Sequence, residues 1–272
     1  DGHLQYSLSH GVTITESIPE AYQLIDGEKV RVTVRYVQQE DVFSLEVGQY
    51  DPDHTLIIDP VLVFSTYTGS TADNFGFTAT YDKDELLYGG GIVFNTGYPT
   101  TNGAYQSAWG GIIDLGITKF NADGSQLIYS TYIGGESAET PNSLVTNQDN
   151  ELFIFGLTSS FSFPVSANAH QSSFAGGNPV NYASNGTNFT NGVDLFVFRL
   201  DSTGTQLLAS SYLGGSANDG VNDGLNPTAP TKLTYNYGDF FRGEIVLDNQ
   251  SNVYVATCTQ SDNFPVTSGA LQ

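Results

Sequence analysis

The feature that most constrains this chain is an internal repeat with two ordered markers. One marker occurs as Val63-Phe64-Ser65-Thr66-Tyr67-Thr68-Gly69, as Ile128-Tyr129-Ser130-Thr131-Tyr132-Ile133-Gly134-Gly135 and as Leu208-Ala209-Ser210-Ser211-Tyr212-Leu213-Gly214-Gly215. The other occurs as Tyr98-Pro99-Thr100-Thr101-Asn102-Gly103-Ala104-Tyr105-Gln106, with counterparts running from Phe163-Pro164 to Gln171 and from Phe264-Pro265 to Gln272. A unit that recurs in this way stacks on its neighbours, because one unit alone cannot bury its apolar face.

Two kinds of hairpin lie between the markers. The first crosses an Asp/Asn-rich turn: Thr78–Tyr81 to Leu86–Tyr88 across Asp82-Lys83-Asp84, and Ile245–Leu247 to Val253–Val255 across Asp248–Asn252, with Leu152–Phe155 following the similar turn Asn147–Asn150. The second leads into the next repeat: Asp114–Phe120 returns as Gln126–Tyr129 across Asn121–Ser125, and Asp194–Leu200 returns across Asp201–Thr205. Gly supplies positive φ in such turns, and Asp or Asn binds its own backbone. The patterning has period 2 and nowhere a sustained helical period. Each repeat therefore predicts about four short strands, the content of one β-propeller blade.

The fold expected is all-β, with about three blade units over residues 61–272. The Tyr-bearing markers lie further apart than the roughly 40 to 50 residues of a usual blade. The surplus falls in polar insertions, Ala175 to Asn191 and Asn222 to Gly243. Three blades do not close a ring of about four to eight, so further blades are expected beyond Gln272, as later parts of the same polypeptide. Residues 1–60 read as part of a separate small antiparallel β domain. Its strands are Leu4–Leu8, Val12–Ile14, Val30–Val37, Phe43–Val47 and Leu56–Ile58, with a turn at Asp26-Gly27 and a boundary at Asp59-Pro60.

Charge narrows the partners. With 29 acidic and 8 basic residues, the formal charge is −21. Nucleic acid is excluded as a partner, since phosphates need clustered Lys and Arg, and so is docking on anionic lipid. No apolar run reaches the roughly 18 residues of a membrane span, and no direct membrane insertion is expected. The single Cys258 sits in a strand-like run and reads as a buried, inert thiol.

The Tyr129–Gly135 marker, the turn Asn121-Ala122-Asp123-Gly124-Ser125 and the ending Phe264–Gln272 resemble the SBBP (seven-bladed β-propeller) repeat family. Upstream, Ala21–Gly27, Val47–Asp51 and Ile57–Leu62 are similar to the β domain that often precedes such repeats. The resemblance implies a large secreted or surface-attached protein, like the surface proteins of gliding Bacteroidetes exported by type 9 secretion. It implies secretion machinery, other surface proteins or polysaccharide as partners and an extracellular or cell-surface location. It carries over no catalytic residues. The second Gly of the marker is replaced by Ser70 in the first copy.

No enzyme constellation emerges from the residues. His3, His10, His54 and His170 have no metal-ligand spacing on a helix, and no Gly-x-Ser-x-Gly elbow occurs. His170 occupies the variable position matched by Tyr105 and Leu271. Asp114 and Asp194 recur at strand starts; Asp73, Glu139 and Asp219 follow the first marker at similar offsets. All five read as structural. Trp109 reads as packed between blades, with sugar stacking as the alternative. Calcium is the one cofactor considered, at Asn218–Gly224, with Asp219 and Asp223 as oxygen ligands. This loop lacks EF-hand spacing, and a solvated turn is its plainer reading. The leading function is a non-enzymatic scaffold and interaction module, serving adhesion or gliding. The alternative is a hydrolase or lyase acting on polysaccharide, with paired carboxylates at the propeller channel.

Overall fold

The computed structural model describes residues 4–7, 13–39, 42–59, 65–182, 186–221, 241 and 243–271. The fold is all-β and built from small antiparallel sheets. The chain divides into two units, residues 1–65 and 66–272, a few residues downstream of Asp59-Pro60.

In the first unit, β1 (Leu4–Ser7) pairs with β2 (Thr13–Glu16). A three-stranded sheet follows in the order β4 (Glu28–Val32), β3 (Glu20–Ile25), β7 (Leu56–Asp59), and β5 (Val34–Gln39) pairs with β6 (Val42–Val47). Asp26 and Gly27 both have positive φ, 52° and 84°, as a two-residue hairpin turn requires. The run Val30–Val37, expected as one strand, is broken at Thr33. The Thr33 carbonyl accepts the Gly48 N–H at 2.7 Å, and the chain leaves β3 to pair with β6. A Cβ on Gly48 would lie 2.2 Å from Thr33 Oγ1, so only glycine permits this approach.

The second unit holds two four-stranded meanders. One runs β8 (Asn74–Tyr81), β9 (Leu87–Val93), β10 (Asp114–Phe120), β11 (Leu127–Ile133). The other runs β12 (Glu139–Thr146), β13 (Leu152–Thr158), β16 (Asp194–Leu200), β17 (Leu207–Leu213). Between β13 and β16 the insertion, expected as loop, contains a small hairpin of β14 (Val180–Tyr182) and β15 (Thr187–Phe189). A third sheet has two strands among the described residues, β18 (Gly243–Leu247) and β19 (Val253–Thr257). Where three four-stranded units were expected, two are complete.

The first-strand turns repeat atom for atom. Asp82 Oδ1 accepts the N–H groups of Asp84 and Leu86. Asn147 Oδ1 accepts those of Asp149 and Glu151, and Asp248 Oδ1 those of Gln250 and Asn252. Each turn ends on a non-glycine residue in the left-handed region: Glu85, Asn150 and Ser251.

The sequence markers are offset from the sheets. The Ser-Thr-Tyr and Ser-Ser-Tyr strands β11 and β17 close a sheet; they do not open one. The second sheet begins with β12 at Glu139, soon after Gly135; after Gly215, Asp219 bridges to Thr259 and β18 follows at Gly243. Both β10 and β13 are buried along their whole length; in β13 the apolar side chains of the two faces meet different neighbours. One cluster joins Leu115, Ile117 and Tyr129 of the first sheet to Ile154, Phe196 and Phe198 of the second. Another joins Phe153, Phe155 and Leu157 to Ile245, with Val255 partly buried against it. Ile154 thus points one way and its neighbours Phe153 and Phe155 the other, the period of a strand. Burying each such side chain contributes about 1.5–3 kcal/mol.

Candidate functional site

The chemistry-bearing residues gather where one sheet gives way to the next. Asp114, first residue of β10, accepts the Gln106 side-chain amide at 3.0 Å and the Gly110 N–H at 2.9 Å on Oδ2. The same glutamine accepts the Gly134 N–H on its Oε1 at 3.1 Å. Glu139, first residue of β12, accepts the Gly135 N–H at 2.9 Å and the hydroxyls of Thr158 and Ser160 at 2.7 and 2.5 Å. An ideal Cβ at Gly134 would lie 2.6 Å from Asp114 Oδ1 and 2.7 Å from Glu139 Oε2. The two carboxylates therefore close over a residue that must be glycine.

The following joint repeats this arrangement. Asp194 accepts the N–H groups of Ala175 and Gly176, at 2.7 and 2.9 Å, and the Gln171 amide at 3.4 Å. Gln171 Oε1 accepts the Gly214 N–H at 2.9 Å. Asp219 accepts the Gly215 N–H at 2.8 Å, the Ser261 hydroxyl at 3.1 Å and the Thr259 hydroxyl. All four carboxylates are buried. Burial is the main reason that Asp114 and Asp194 are pushed up to about 6 and Glu139 to about 8. Hydrogen bonds oppose the rise in each case, and the Asp114 charge adds to it at Glu139.

Strand register corrects one equivalence. Glu139 stands opposite Thr158 and Asp219 opposite Thr259; the residue opposite Val93, at the same place in the first sheet, is Asn74 and not Asp73. The recurring Gln was visible in the sequence, but its role was not, since it links a carboxylate to main-chain groups far from it in sequence.

A second joint lies at the other end of the strands. Lys119 Nζ sits 3.0 Å from Asp82 Oδ2 and 4.7 Å from the centre of the Tyr88 ring. The Tyr88 hydroxyl donates to Asp82 Oδ2 at 3.0 Å and to the Asn150 carbonyl of the second sheet at 3.1 Å. In the second sheet Arg199 takes the place of Lys119, over the Phe153 ring at 5.2 Å and paired with Glu151.

Other expectations fall as follows. Asp219 lies in the clasp just described, and Asp223 lies outside the described residues. Among the described residues no group of three His, Cys, Asp or Glu side chains gathers as metal ligands. His170 is exposed and lines a cleft of about 270 Å³ with Phe153, Asn168, Arg199 and Val253 among others. Another cleft, of about 120 Å³, runs along Gly89–Gly91 beside Tyr98. Neither cleft is lined by the four buried carboxylates. Trp109 is half-buried against Val93, Tyr98 and Tyr132. Cys258, expected to be buried, is exposed. Its counterparts Ile92 and Leu157 are buried because a third strand covers them, and β19 has no such neighbour among the described residues.

No helix among the described residues is long and apolar enough to cross a membrane. In comparison with known proteins, no curated protein matches the chain. Residues 1–61 match a family described as a domain of unknown function, DUF7948.

Proposed function

We propose that residues 61–272 form consecutive β-propeller blades and act as a non-enzymatic scaffold and interaction module of a large secreted or cell-surface protein. Adhesion to polysaccharide or to other surface proteins, in the setting of gliding and type 9 export, is the use that the repeat resemblance and the charge of −21 favour. The observation that carries the non-enzymatic reading is the repetition of the clasps. Asp114 and Asp194, and likewise Glu139 and Asp219, occupy equivalent positions, are buried, and accept main-chain N–H groups. A catalytic pair needs access to substrate and a place of its own in the ring. Groups repeated in register at both joints among the described residues answer instead to the needs of stacking.

The experiment has two arms. Incubation of the chain with a panel of polysaccharides should release neither reducing ends nor unsaturated products; release abolished by Glu139→Gln would establish the hydrolase or lyase reading instead. Deletion of residues 61–272 in cells that make the protein should reduce adhesion or gliding while export of the remainder persists. Unchanged adhesion with unchanged export would reduce the region to passive cargo.

A further inference from the structure

We propose that the cleft on the face of the first four-stranded sheet turned away from the second binds one phenol ring, from a free phenolic compound or from a tyrosine side chain. The residues that line it lie between Thr68 and Thr118, all within the second unit. The inference does not rest on the scaffold reading and goes beyond it.

The cleft exists because three bulky side chains are replaced. Strand register sets Gly89 opposite Thr118 and Gly91 opposite Gly116 in the first sheet. The same places in the second sheet hold Ile154 opposite Phe198 and Gly156 opposite Phe196. These positions share one face, since side chains alternate along a strand. Gly90, between them, faces the other way, where a Cβ would meet Leu144 of β12. In the second sheet Ile154, Phe196 and Phe198 are wholly buried and pack against the first sheet. Their counterparts Gly89, Gly116 and Thr118 offer no such apolar bulk, so this face departs from the pattern by which one sheet stacks on the next.

The space left is that of one ring. In the second sheet Phe163 packs on the rings of Phe196 and Phe198, at 4.4 and 6.1 Å between centres. Its counterpart in the repeat, Tyr98, lies directly on Gly116, where a Cβ would come within 2.6 Å of the Tyr98 ring. Tyr98 thus takes the place of Phe196, and the places of Ile154 and Phe198 stay open. The resulting cleft measures about 120 Å³ and is mostly apolar; an apolar cavity of about 150 Å³ accepts benzene.

Hydroxyls at one side of the cleft select a phenol over a bare ring. Thr118 stands where the second sheet has the Phe198 ring. Across the strands from it, Ser130 is wholly buried and its hydroxyl has no hydrogen-bond partner. The Tyr98 hydroxyl, which burial pushes up to about 12, lies near enough to Thr118 and Ser130 for both to moderate that rise, yet leaves the Ser130 hydroxyl unpartnered. Ser210 is likewise unpartnered, but it stands opposite Phe198, whose ring already fills the adjoining space. An apolar cleft with a few convergent polar groups is the usual form of a small-ligand site.

Nuclear magnetic resonance titration of the full 272-residue chain with p-cresol tests the proposal. Expected are saturable shifts concentrated at the Gly89, Gly91 and Gly116 amides. Binding should be weaker for toluene, which lacks the hydroxyl, and for 4-methylcyclohexanol, which lacks the aromatic ring. Gly89→Ile supplies the side chain that Ile154 has in the second sheet, and its Cβ would meet only Thr118 Oγ1, at 3.2 Å. It should weaken p-cresol binding about tenfold by filling the cleft. Thr118→Val keeps the shape and should weaken p-cresol about fivefold while leaving toluene unchanged. N-acetyltyrosinamide binding as tightly as p-cresol would assign the site to a tyrosine side chain, and its failure to bind would assign it to a free phenol. No saturable shift at these glycines, equal binding of toluene or 4-methylcyclohexanol, or undiminished binding by the Gly89→Ile chain would overturn the proposal.

Discussion

Lys119 and Asp82 form an ion pair at 3.0 Å with both side chains almost wholly out of water. The Tyr88 hydroxyl donates to the same carboxylate, and the ammonium lies over the Tyr88 ring. The pair ties the first turn of one sheet to its third strand, and Lys119 also reaches the Ser202 carbonyl of the next sheet. Removing either partner leaves a buried charge uncompensated. Lys119→Met is therefore expected to cost about 3–5 kcal/mol in urea unfolding. Adding Asp82→Asn, which keeps the oxygen that caps the turn, should restore a large part of the loss. A single-variant loss below about 1 kcal/mol would contradict the pair's burial.

The clasps give stability an unusual dependence on pH. Glu139 is raised from 4.5 to about 8, and Asp114 and Asp194 from 3.8 to about 6, chiefly by burial. The folded state then holds protons that the unfolded state has released. The associated stability is fully present below about pH 4 and declines as pH rises towards 8, by at most about 1.4 kcal/mol per pH unit for each proton. Below the ordinary carboxylate range a contrary trend begins, as Asp123 and Asp248 lose the bonds from Ser125 and Asn252 that hold them low. Urea titrations between pH 5 and 8 should show a falling midpoint, and Glu139→Gln should flatten the fall between about pH 6 and 8. A rising midpoint over that range would refute the assignment.

Gly134→Ala and Gly214→Ala should each cost about 1–3 kcal/mol by overpacking against the paired carboxylates. Gly76→Ala is the control, since its Cβ would meet nothing within 4 Å, and it should change the unfolding midpoint little. Equal effects at Gly134 and Gly76 would count against the clasp.

Cys258 is exposed, yet its thiol is held above the usual range, first by desolvation from nearby atoms and further by the Asp219 charge. A thiol reagent should therefore label it completely in the folded protein but slowly at pH 7, and unfolding in urea should speed the reaction. Labelling only after unfolding would show that the thiol is buried.

In the first unit, Gln23 is buried and its side chain donates to the Asp51 and His54 carbonyls, at 2.7 and 2.8 Å, while accepting the Asp51 N–H. Gln23→Ala should cost about 1–3 kcal/mol by leaving these groups unpaired, with faster hydrogen exchange at the Asp51 N–H. Unchanged exchange there would argue against the anchoring role.

Much of the architecture was legible because the repeat displayed it three times. The bounds of β10 and β16 were readable from Asp114–Phe120 and Asp194–Leu200, and the turns from Asp82, Asn147 and Asp248. Other elements were hidden for physical reasons. Three consecutive glycines in β9 carry no side chains to alternate. The short strands β14 and β15 lie inside a polar insertion, and Thr33 breaks an alternation that runs on unbroken in the sequence. Of the clasps, the recurrence of Asp114, Asp194, Glu139 and Asp219 could be seen, as could that of Gln106 and Gln171. Their purpose could not, because backbone donors leave no letter of their own.

The offset between sequence repeat and sheet bears on how such an array grows. A duplicated period supplies the closing strand of one sheet together with the opening strands of the next, so every sheet on either side of the insertion keeps four strands. A cut at a sheet boundary would instead separate Gly135 from the Glu139 carboxylate that accepts its N–H. The heritable unit and the packing unit are thus staggered, and lengthening the array leaves each existing joint intact.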